Sequence, residues 1–116
     1  MTIEIINKEA HHKGEIFTLQ FEGQLIKILI LSHAKERMIK WGLKEEMVVE
    51  TLIKPEEVLT GHRDRYIAHR RYGNHLVRAV YEYESELPIL LTVYFPKTDR
   101  YFMGGSSYED KIFKGS

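Results

Sequence analysis

A basic segment near the middle of the chain holds the residues best suited to chemistry. The segment 61–78, GHRDRYIAHRRYGNHLVR, contains five of the seven arginines, three of the six histidines and no lysine. The whole chain carries 17 basic and 17 acidic residues, so this enrichment is local. Guanidinium groups bind phosphate oxygens, and imidazoles transfer protons near neutral pH. The segment therefore predicts a solvated strand face, a site for an anionic ligand, or a catalytic surface for RNA.

A glycine–asparagine pair at 73–74 predicts how this segment folds. Glycine in the first position of a two-residue loop is typical of a type II′ hairpin turn. Strands rich in Tyr, Val and Ile are therefore expected over 65–72 and 75–84. A two-residue loop also fixes the register, which places His69 directly opposite Arg78.

The alternation of side chains along these strands divides them between two faces of the sheet. One face is apolar in its middle and is expected to pack on helices. The other is expected to stay open and carries four basic side chains, namely Arg65, His69, Arg71 and Arg78. Their repulsion costs about 1 kcal/mol or less per exposed pair, and a bound phosphate would remove it. Alternatively, Asp64, Glu82 and Glu84 neutralise this face, which is then merely solvated.

Residues before this segment predict a hairpin followed by a helix. The stretch 16–31, IFTLQFEGQLIKILIL, is apolar and breaks at a Glu-Gly pair, which favours two strands with a short turn. Ser32 is a good N-cap for the next helix, and Gly42 is suited to end that helix in the left-handed conformation.

A second helix and a last strand complete the predicted elements. The stretch 43–55, LKEEMVVETLIKP, has an apolar stripe and an acidic first turn, and Pro55 ends it. The stretch 88–95 reads as a further strand, ended by Pro96 and a polar KTDR sequence.

Together these elements predict an α+β fold. A helical hairpin is expected to pack on one face of a four- to five-stranded, mostly antiparallel sheet. The 116 residues fit one domain, with an N-terminal strand and hairpin extension over 1–30, a core over 31–96 and a tail over 97–116. The chain has no cysteine, no signal-peptide pattern and no apolar run of the roughly 20 residues that a membrane span needs. A cytoplasmic protein without membrane contact is expected.

One histidine is placed to act as a base. His33 follows the expected N-cap, and the positive end of the helix dipole favours its neutral imidazole, the form that a general base requires. Alternatively, His33 only packs at the junction of helix and sheet. Arg37 lies one turn further on and can bind a phosphate or pair with Glu36 or Glu45.

The sequence contains no motif for a metal site, a protein nucleophile or a nucleotide phosphate. The adjacent pair His11 and His12 and the pair His62 and His69 lack a compact metal-ligand spacing. There is no cysteine, no GxSxG nucleophile motif and no glycine-rich phosphate loop. No metal and no cofactor are therefore expected.

Four short motifs, in order and at characteristic spacing, resemble the bacterial domain-of-unknown-function 4258 family. They are SHAKERM at 32–38, GLKEEMV at 42–48, PEEV at 55–58 and TVY at 92–94. The resemblance covers roughly residues 30–96. The order and spacing of the motifs supply most of its specificity.

This family is similar in plan to the RelE and BrnT toxins, which implies a RelE-like fold. The resemblance implies a small endoribonuclease that needs no metal, acts on RNA including ribosome-associated mRNA, and is neutralised by an antitoxin protein. His33, Arg37 and Tyr94 occupy positions that match the family's pattern. Trp41 departs from it, because the family commonly has arginine there, so a phosphate contact from that position is not expected.

The chemistry implied by this resemblance needs no protein nucleophile. The 2′-hydroxyl of RNA attacks the phosphate while a base removes its proton, cations stabilise the developing charge and an acid protonates the leaving 5′-oxygen. We expect His33 or His69 to carry the proton and Tyr94 to stack on a base or orient the phosphate. Arginines are expected to clamp the phosphate, with Arg37 and Arg78 in the catalytic set and Arg65 and Arg71 in the substrate-binding set.

A non-catalytic role is the alternative. The same basic face can hold RNA, DNA or an acidic segment of a partner, and a sheet edge can accept a strand from an antitoxin. Overall neutrality favours such a module slightly over a nuclease directed at the ribosome. A domain with no nucleic-acid role is a third alternative.

Overall fold

The described residues fold into one seven-stranded mixed sheet with three short helices. The computed structural model describes residues 2–104 and residue 112. In chain order the elements are β1 (Glu4–His11), β2 (Gly14–Phe21), β3 (Gln24–Leu31), α1 (Ser32–Trp41), α2 (Glu45–Ile53), β4 (Glu57–Thr60), β5 (Tyr66–Tyr72), β6 (His75–Glu84), β7 (Leu87–Tyr94) and α3 (Thr98–Tyr101). The strand order is β1-β2-β3-β7-β6-β5-β4. Strands β3 and β7 are parallel, and the other neighbours are antiparallel.

The predicted architecture, a RelE-like helical hairpin on a four- to five-stranded and mostly antiparallel sheet, is wrong. Strand β1 was not predicted because its residues are mostly polar and exposed. Strand β4 was not predicted because it has only four residues and follows directly after the second helix. The N-terminal strands are continuous with the rest of the sheet, since Leu29 pairs with Ile89 and Ile30 with Leu90. A parallel pairing between segments about 60 residues apart leaves no local sequence signal.

The register predicted for the β5–β6 hairpin is confirmed. Tyr72 pairs with His75 across the turn, and His69 pairs with Arg78. Gly73 has a φ of 67°, a value that residues with a side chain rarely adopt. The turn therefore fixes which side chains of β5 and β6 lie next to each other.

The start of α1 differs from the prediction, whereas its end agrees. Leu31 is the N-cap residue and makes no side-chain cap, so Ser32 is the first helical residue. The hydroxyl of Ser32 instead donates to the backbone carbonyl of Lys13 at 3.4 Å. Gly42 ends the helix in the left-handed conformation, as predicted, and its N–H donates to the carbonyl of Ile39.

Helices α1 and α2 cover one face of the sheet. Their buried apolar side chains pack on the face predicted for them, which includes Ala68, Val77, Ala79 and Tyr81. The longest helix, α1, has ten residues, and no helix of the described chain is long and apolar enough to cross a bilayer.

The opposite face of β4, β5 and β6 is not open as predicted. Residues 101–103, which are the last residue of α3 and the two residues after it, lie over this face and contact its side chains. His69 and Leu76 are completely buried. Residues 101–103, which belong to the tail predicted over 97–116, therefore form a wall over the basic face.

Candidate functional site

A row of four side chains crosses the sheet at the position of the basic segment. Glu57 on β4 pairs with His69 on β5, His69 with Arg78 on β6, and Arg78 with Tyr94 on β7. Directly opposed residues of antiparallel strands project from the same face. The four side chains therefore form a line from the edge strand to the middle of the sheet.

Three members of this row, Glu57, His69 and Arg78, are joined by hydrogen bonds, and we call them the triad. The Nδ1 of His69 lies 2.7 Å from Glu57 Oε2, and its Nε2 lies 2.8 Å from Arg78 Nη1. An arginine N–H can only donate, so His69 Nε2 is the acceptor and Nδ1 carries the proton that is donated to Glu57. The imidazole is therefore neutral in this arrangement.

Electrostatics favour the same state. Glu57 and His69 are both 0% exposed. Burial lowers the pKa of His69, opposed by the hydrogen bond to Glu57 and assisted by the positive charge of Arg78. Protonation would place a second N–H against the Arg78 guanidinium, so the triad is disrupted by a proton on His69.

The end of α3 and the residues directly after it cover the triad. The backbone N–H of Met103 donates to both carboxylate oxygens of Glu57, at 2.8 Å and 3.1 Å. The Arg78 guanidinium lies 4.4 Å from the centroid of the Tyr101 ring, a cation–π contact. His69 therefore has no open ring position for a substrate, although the sequence predicts it as a proton carrier.

Arg78 also reaches a cavity of about 430 Å³, which we call the Arg78 pocket. Cationic and aromatic side chains dominate its wall, and no carboxylate lines it. The lining residues are Trp41, His75, Arg78, Tyr94, Phe95, Pro96, Lys97, Arg100 and Tyr101. Trp41, Tyr94 and Tyr101 are 41%, 40% and 40% exposed, which is unusual for large aromatic side chains.

Backbone contacts hold the wall of this pocket together. The N–H of Leu76 donates to the carbonyl of Pro96 at 3.0 Å, and the N–H of Thr98 donates to the carbonyl of Asn74 at 2.9 Å. The His75 ring stacks on Phe95, with 4.9 Å between centroids. The start of β6 and the segment after β7 are therefore fixed to each other, and this places Lys97 and α3 beside Arg78.

The cations of the pocket differ from the other arginines in their partners. Among the described residues, Arg78, Lys97 and Arg100 form no ion pair with a carboxylate. The predicted substrate-binding residues lie outside the pocket wall and are paired, Arg65 with Glu82 at 3.4 Å and Arg71 with Glu56 through two hydrogen bonds. The Arg71 hydrogen bond holds the pKa of Glu56 below its usual range.

His33 and Arg37 form a separate cluster on α1. Arg37 Nε lies 3.5 Å from His33 Nε2, and a shallow cavity there is lined by His33, Glu36, Arg37 and Lys40. None of these residues lines the Arg78 pocket. Of the predicted catalytic residues, the structure thus brings Arg78 and Tyr94 together in the pocket, with His69 buried beside Arg78.

Several residues of this site escaped the sequence analysis. Lys97, Arg100 and Tyr101 belong to the predicted tail, although the two cations and two adjacent aromatics of KTDRYF are a usable signal. Glu57 lies in an unpredicted strand. Trp41, noted as a departure from the family pattern, provides an aromatic wall.

The described part of the chain contains no group of three His, Asp or Glu side chains arranged to hold a metal ion. The Arg78 pocket itself is lined by guanidinium, ammonium, imidazole, indole and phenol groups.

Comparison with known proteins identifies a family but no characterised relative. Searches of curated proteins and of solved structures give no significant match. The family model described as "Domain of unknown function (DUF4258)" matches residues 30–95, which is more than half of the 116-residue chain. Arg78, Tyr94 and the whole of the triad lie within this match, and the segment that carries Lys97, Arg100 and Tyr101 lies beyond it. The chain belongs to the DUF4258 family.

Proposed function

We propose that this domain binds single-stranded RNA in the Arg78 pocket and cleaves it without a metal ion, with the 2′-hydroxyl of the RNA as nucleophile. One observation carries the proposal. Three cations and four aromatic side chains line a single cavity, and no carboxylate lines it. This combination provides charge for phosphates and flat surfaces for bases.

The cations favour a phosphate as ligand. Arg78, Lys97 and Arg100 share one cavity in a chain of zero formal net charge. Nearby like charges repel, so an anion between them lowers the electrostatic energy. Arginine forks match phosphate oxygens, and lysine adds a point charge. Because the whole protein is neutral, this attraction acts at the pocket and not over the entire surface.

The aromatic side chains favour an unpaired base. Trp41, Tyr94 and Tyr101 keep about two fifths of their surface exposed, which has a hydrophobic cost unless a ligand covers them. Stacking of a base on an aromatic ring contributes about 1–3 kcal/mol, and it requires a base free of its partner strand. A cavity of about 430 Å³ falls within the range of small-ligand sites.

The cleavage step is assigned to groups on the pocket wall. His75 and Tyr94 can carry protons to or from the RNA, and Arg78, Lys97 and Arg100 can stabilise charge on the pentacovalent phosphorus. His75 takes the role that the sequence assigns to His33 or His69, because His75 is the imidazole that lines the cavity. General acid–base catalysis of this kind contributes about 10²–10⁴-fold to the rate.

The binding step can be measured through the single tryptophan, Trp41. Its fluorescence should change when a short RNA that carries 2′-O-methyl groups, and so resists cleavage, enters the pocket. Arg78→Ala should weaken binding about tenfold or more, because a hydrogen bond to a charged group contributes about 1.5–3 kcal/mol. Arg65→Ala is the matched control, since Arg65 lies outside the pocket and pairs with Glu82. No binding by the wild type, or equal losses in both variants, would contradict the proposal.

The cleavage step needs a separate assay with unmodified RNA and EDTA. Products with 2′,3′-cyclic phosphate ends are expected, and 2′-O-methyl substitution should abolish cleavage but not binding. His75→Ala should lose about 10²-fold or more in rate while the domain stays folded. Activity that disappears with EDTA and returns with a metal ion would contradict the metal-independent mechanism.

A binding module without cleavage is the second candidate. It is favoured by the environment of the imidazoles, because the histidine that a carboxylate orients is the buried His69, whereas His75 stacks on Phe95. Retention of RNA that weakens steeply with salt, without any cleavage, would support this candidate over the nuclease.

The toxin role and the antitoxin partner implied by the sequence resemblance stay predictions. Overexpression should arrest bacterial growth, and Arg78→Ala should relieve the arrest. Normal growth at high levels of the wild-type protein would weigh against a toxin, whatever the outcome of the RNA assays.

A further inference from the structure

We infer that Glu57 and His69 are positioning residues, which hold the Arg78 guanidinium in the orientation that an anion in the pocket requires. The inference rests on the proposed function only for the identity of that anion as RNA. It concerns two fully buried side chains that the proposed mechanism does not use.

The direction of the hydrogen bonds within the triad shows how Arg78 is held. Glu57 accepts from His69 Nδ1, and His69 Nε2 accepts from Arg78 Nη1. Each group is thereby fixed by the next, and one of the five guanidinium N–H groups is used. The other four make no hydrogen bond to a described residue and can donate to a ligand. A free arginine side chain loses rotamer entropy when it binds a ligand, so holding it before the anion arrives lowers the cost of binding.

An arginine on the neighbouring strand is held in a different way. Arg71 on β5 is bound directly by Glu56, which occupies both its Nε and its Nη2. Such a carboxylate neutralises the arginine and occupies the pair of N–H donors with which it would bind a phosphate. In the triad the carboxylate lies one imidazole away from the guanidinium, so Arg78 is oriented while its fork stays open to the pocket.

Burying the carboxylate of Glu57 and the imidazole of His69 has an energetic cost. A carboxylate and an imidazole with 0% exposure must be desolvated, and apolar residues of similar size often stabilise a protein as well or better. Glu57 also accepts two hydrogen bonds from the Met103 N–H, so the segment that carries Tyr101 is tied to the same carboxylate. Hydrogen bonds of the triad thus connect strands β4 and β5, Arg78 of the pocket and the backbone of Met103.

Two substitutions at one position separate a positioning role from a structural one. The amide of glutamine can place an acceptor near the position of Nε2, which retains the contact with Arg78 and loses that with Glu57. The amide of asparagine can place a donor near the position of Nδ1, which retains the contact with Glu57 and loses that with Arg78. Both variants disturb the buried site, so a purely structural role predicts similar effects.

The measurement is the set of Arg78 side-chain N–H signals in ¹H–¹⁵N spectra of the full chain, with no RNA present. We expect separate, slowly exchanging Arg78 signals in the wild type and in His69→Gln, and averaged signals in His69→Asn. Affinity for the 2′-O-methyl RNA should follow the same order, with about a tenfold greater loss in His69→Asn. Identical Arg78 signals in all three proteins would overturn the inference.

The wild type alone provides a second test in case the variants do not fold. The imidazole ¹⁵N shifts of His69 should show the neutral form with the proton on Nδ1 at pH 7. A proton on Nε2 would overturn the inference, since that nitrogen could not accept from Arg78. Should the Arg78 and His69 signals behave as expected while the wild type binds no RNA, the proposed function fails and the positioning role stands.

Discussion

Mild acid should destabilise this protein through His69. The ring is 0% exposed, and its Nε2 accepts from Arg78, so the folded state resists protonation of this histidine. Its pKa is lowered by burial and by Arg78 below the ordinary value of 6.5. The unfolded chain then binds more protons than the folded one at pH values just below 6.5. Stability contributed by the neutral ring is therefore fully present above pH 6.5 and is lost as the pH falls towards the lowered pKa.

The slope of the free energy of unfolding against pH depends on how many more protons the unfolded chain binds than the folded one. One histidine gives at most one proton of difference, and the slope approaches about 1.4 kcal/mol per pH unit. With a urea m-value of about 1–3 kcal/mol per molar, the unfolding midpoint should fall by about 0.5–1.4 M per pH unit. Glu56 acts in a different window, because its lowered pKa makes its contribution disappear only below about pH 4.5.

Urea unfolding between pH 7.5 and about 5, followed by circular dichroism, measures this slope. His69→Asn cannot titrate and should lose most of the slope, even if it is less stable at every pH. His33→Ala is the control, since His33 is an exposed histidine on α1. The assigned tautomer and the burial argument are refuted if His69→Asn retains the full wild-type slope.

Two further predictions concern the sheet and the pocket. Gly14→Ala should destabilise the fold by about 1–3 kcal/mol in urea unfolding, because the added Cβ would lie 2.0 Å from the carbonyl oxygen of Ile30. Gly61→Ala is its control and should change little, since its nearest contact would be 3.5 Å; equal effects would contradict the steric argument. Arg100→Ala should reduce the slope of log affinity for RNA against log salt by about 0.7, the value for one phosphate contact on a single strand. An equal reduction in Arg63→Ala, which lies outside the pocket wall, would show that the contact is not local.

Local sequence signals were sufficient for the β2–β3 and β5–β6 hairpins and for the C-terminal end of α1. Gly73 requires a positive φ that few other residues accept, so it fixed the turn and with it the pairing of His69 with Arg78. Gly42 ended α1 for the same reason. These features depend on a few neighbouring residues, and this is why they could be predicted from a single sequence.

Non-local features could not be predicted in this way. The parallel pair of β3 and β7 joins Leu29 to Ile89, and the apolar sequence of either strand is equally compatible with an antiparallel partner. Residues 101–103 cover the basic face because the chain after Pro96 folds back over strands β5 and β6. That path is set by the hydrogen bond from Thr98 N–H to the carbonyl of Asn74, far away in the sequence.

The arginines of the basic segment show why composition alone did not locate the site. Arg65 pairs with Glu82, Arg70 lies 3.4 Å from Glu50, and Arg71 is bound by Glu56. Only Arg78, of the segment's arginines, lines the Arg78 pocket. The sequence shows how many guanidiniums are present, whereas the register and the helix contacts decide which of them meet a carboxylate. A neutral chain thus uses most of this cluster to join elements of its fold, and it directs one arginine, held through an imidazole, to the cavity.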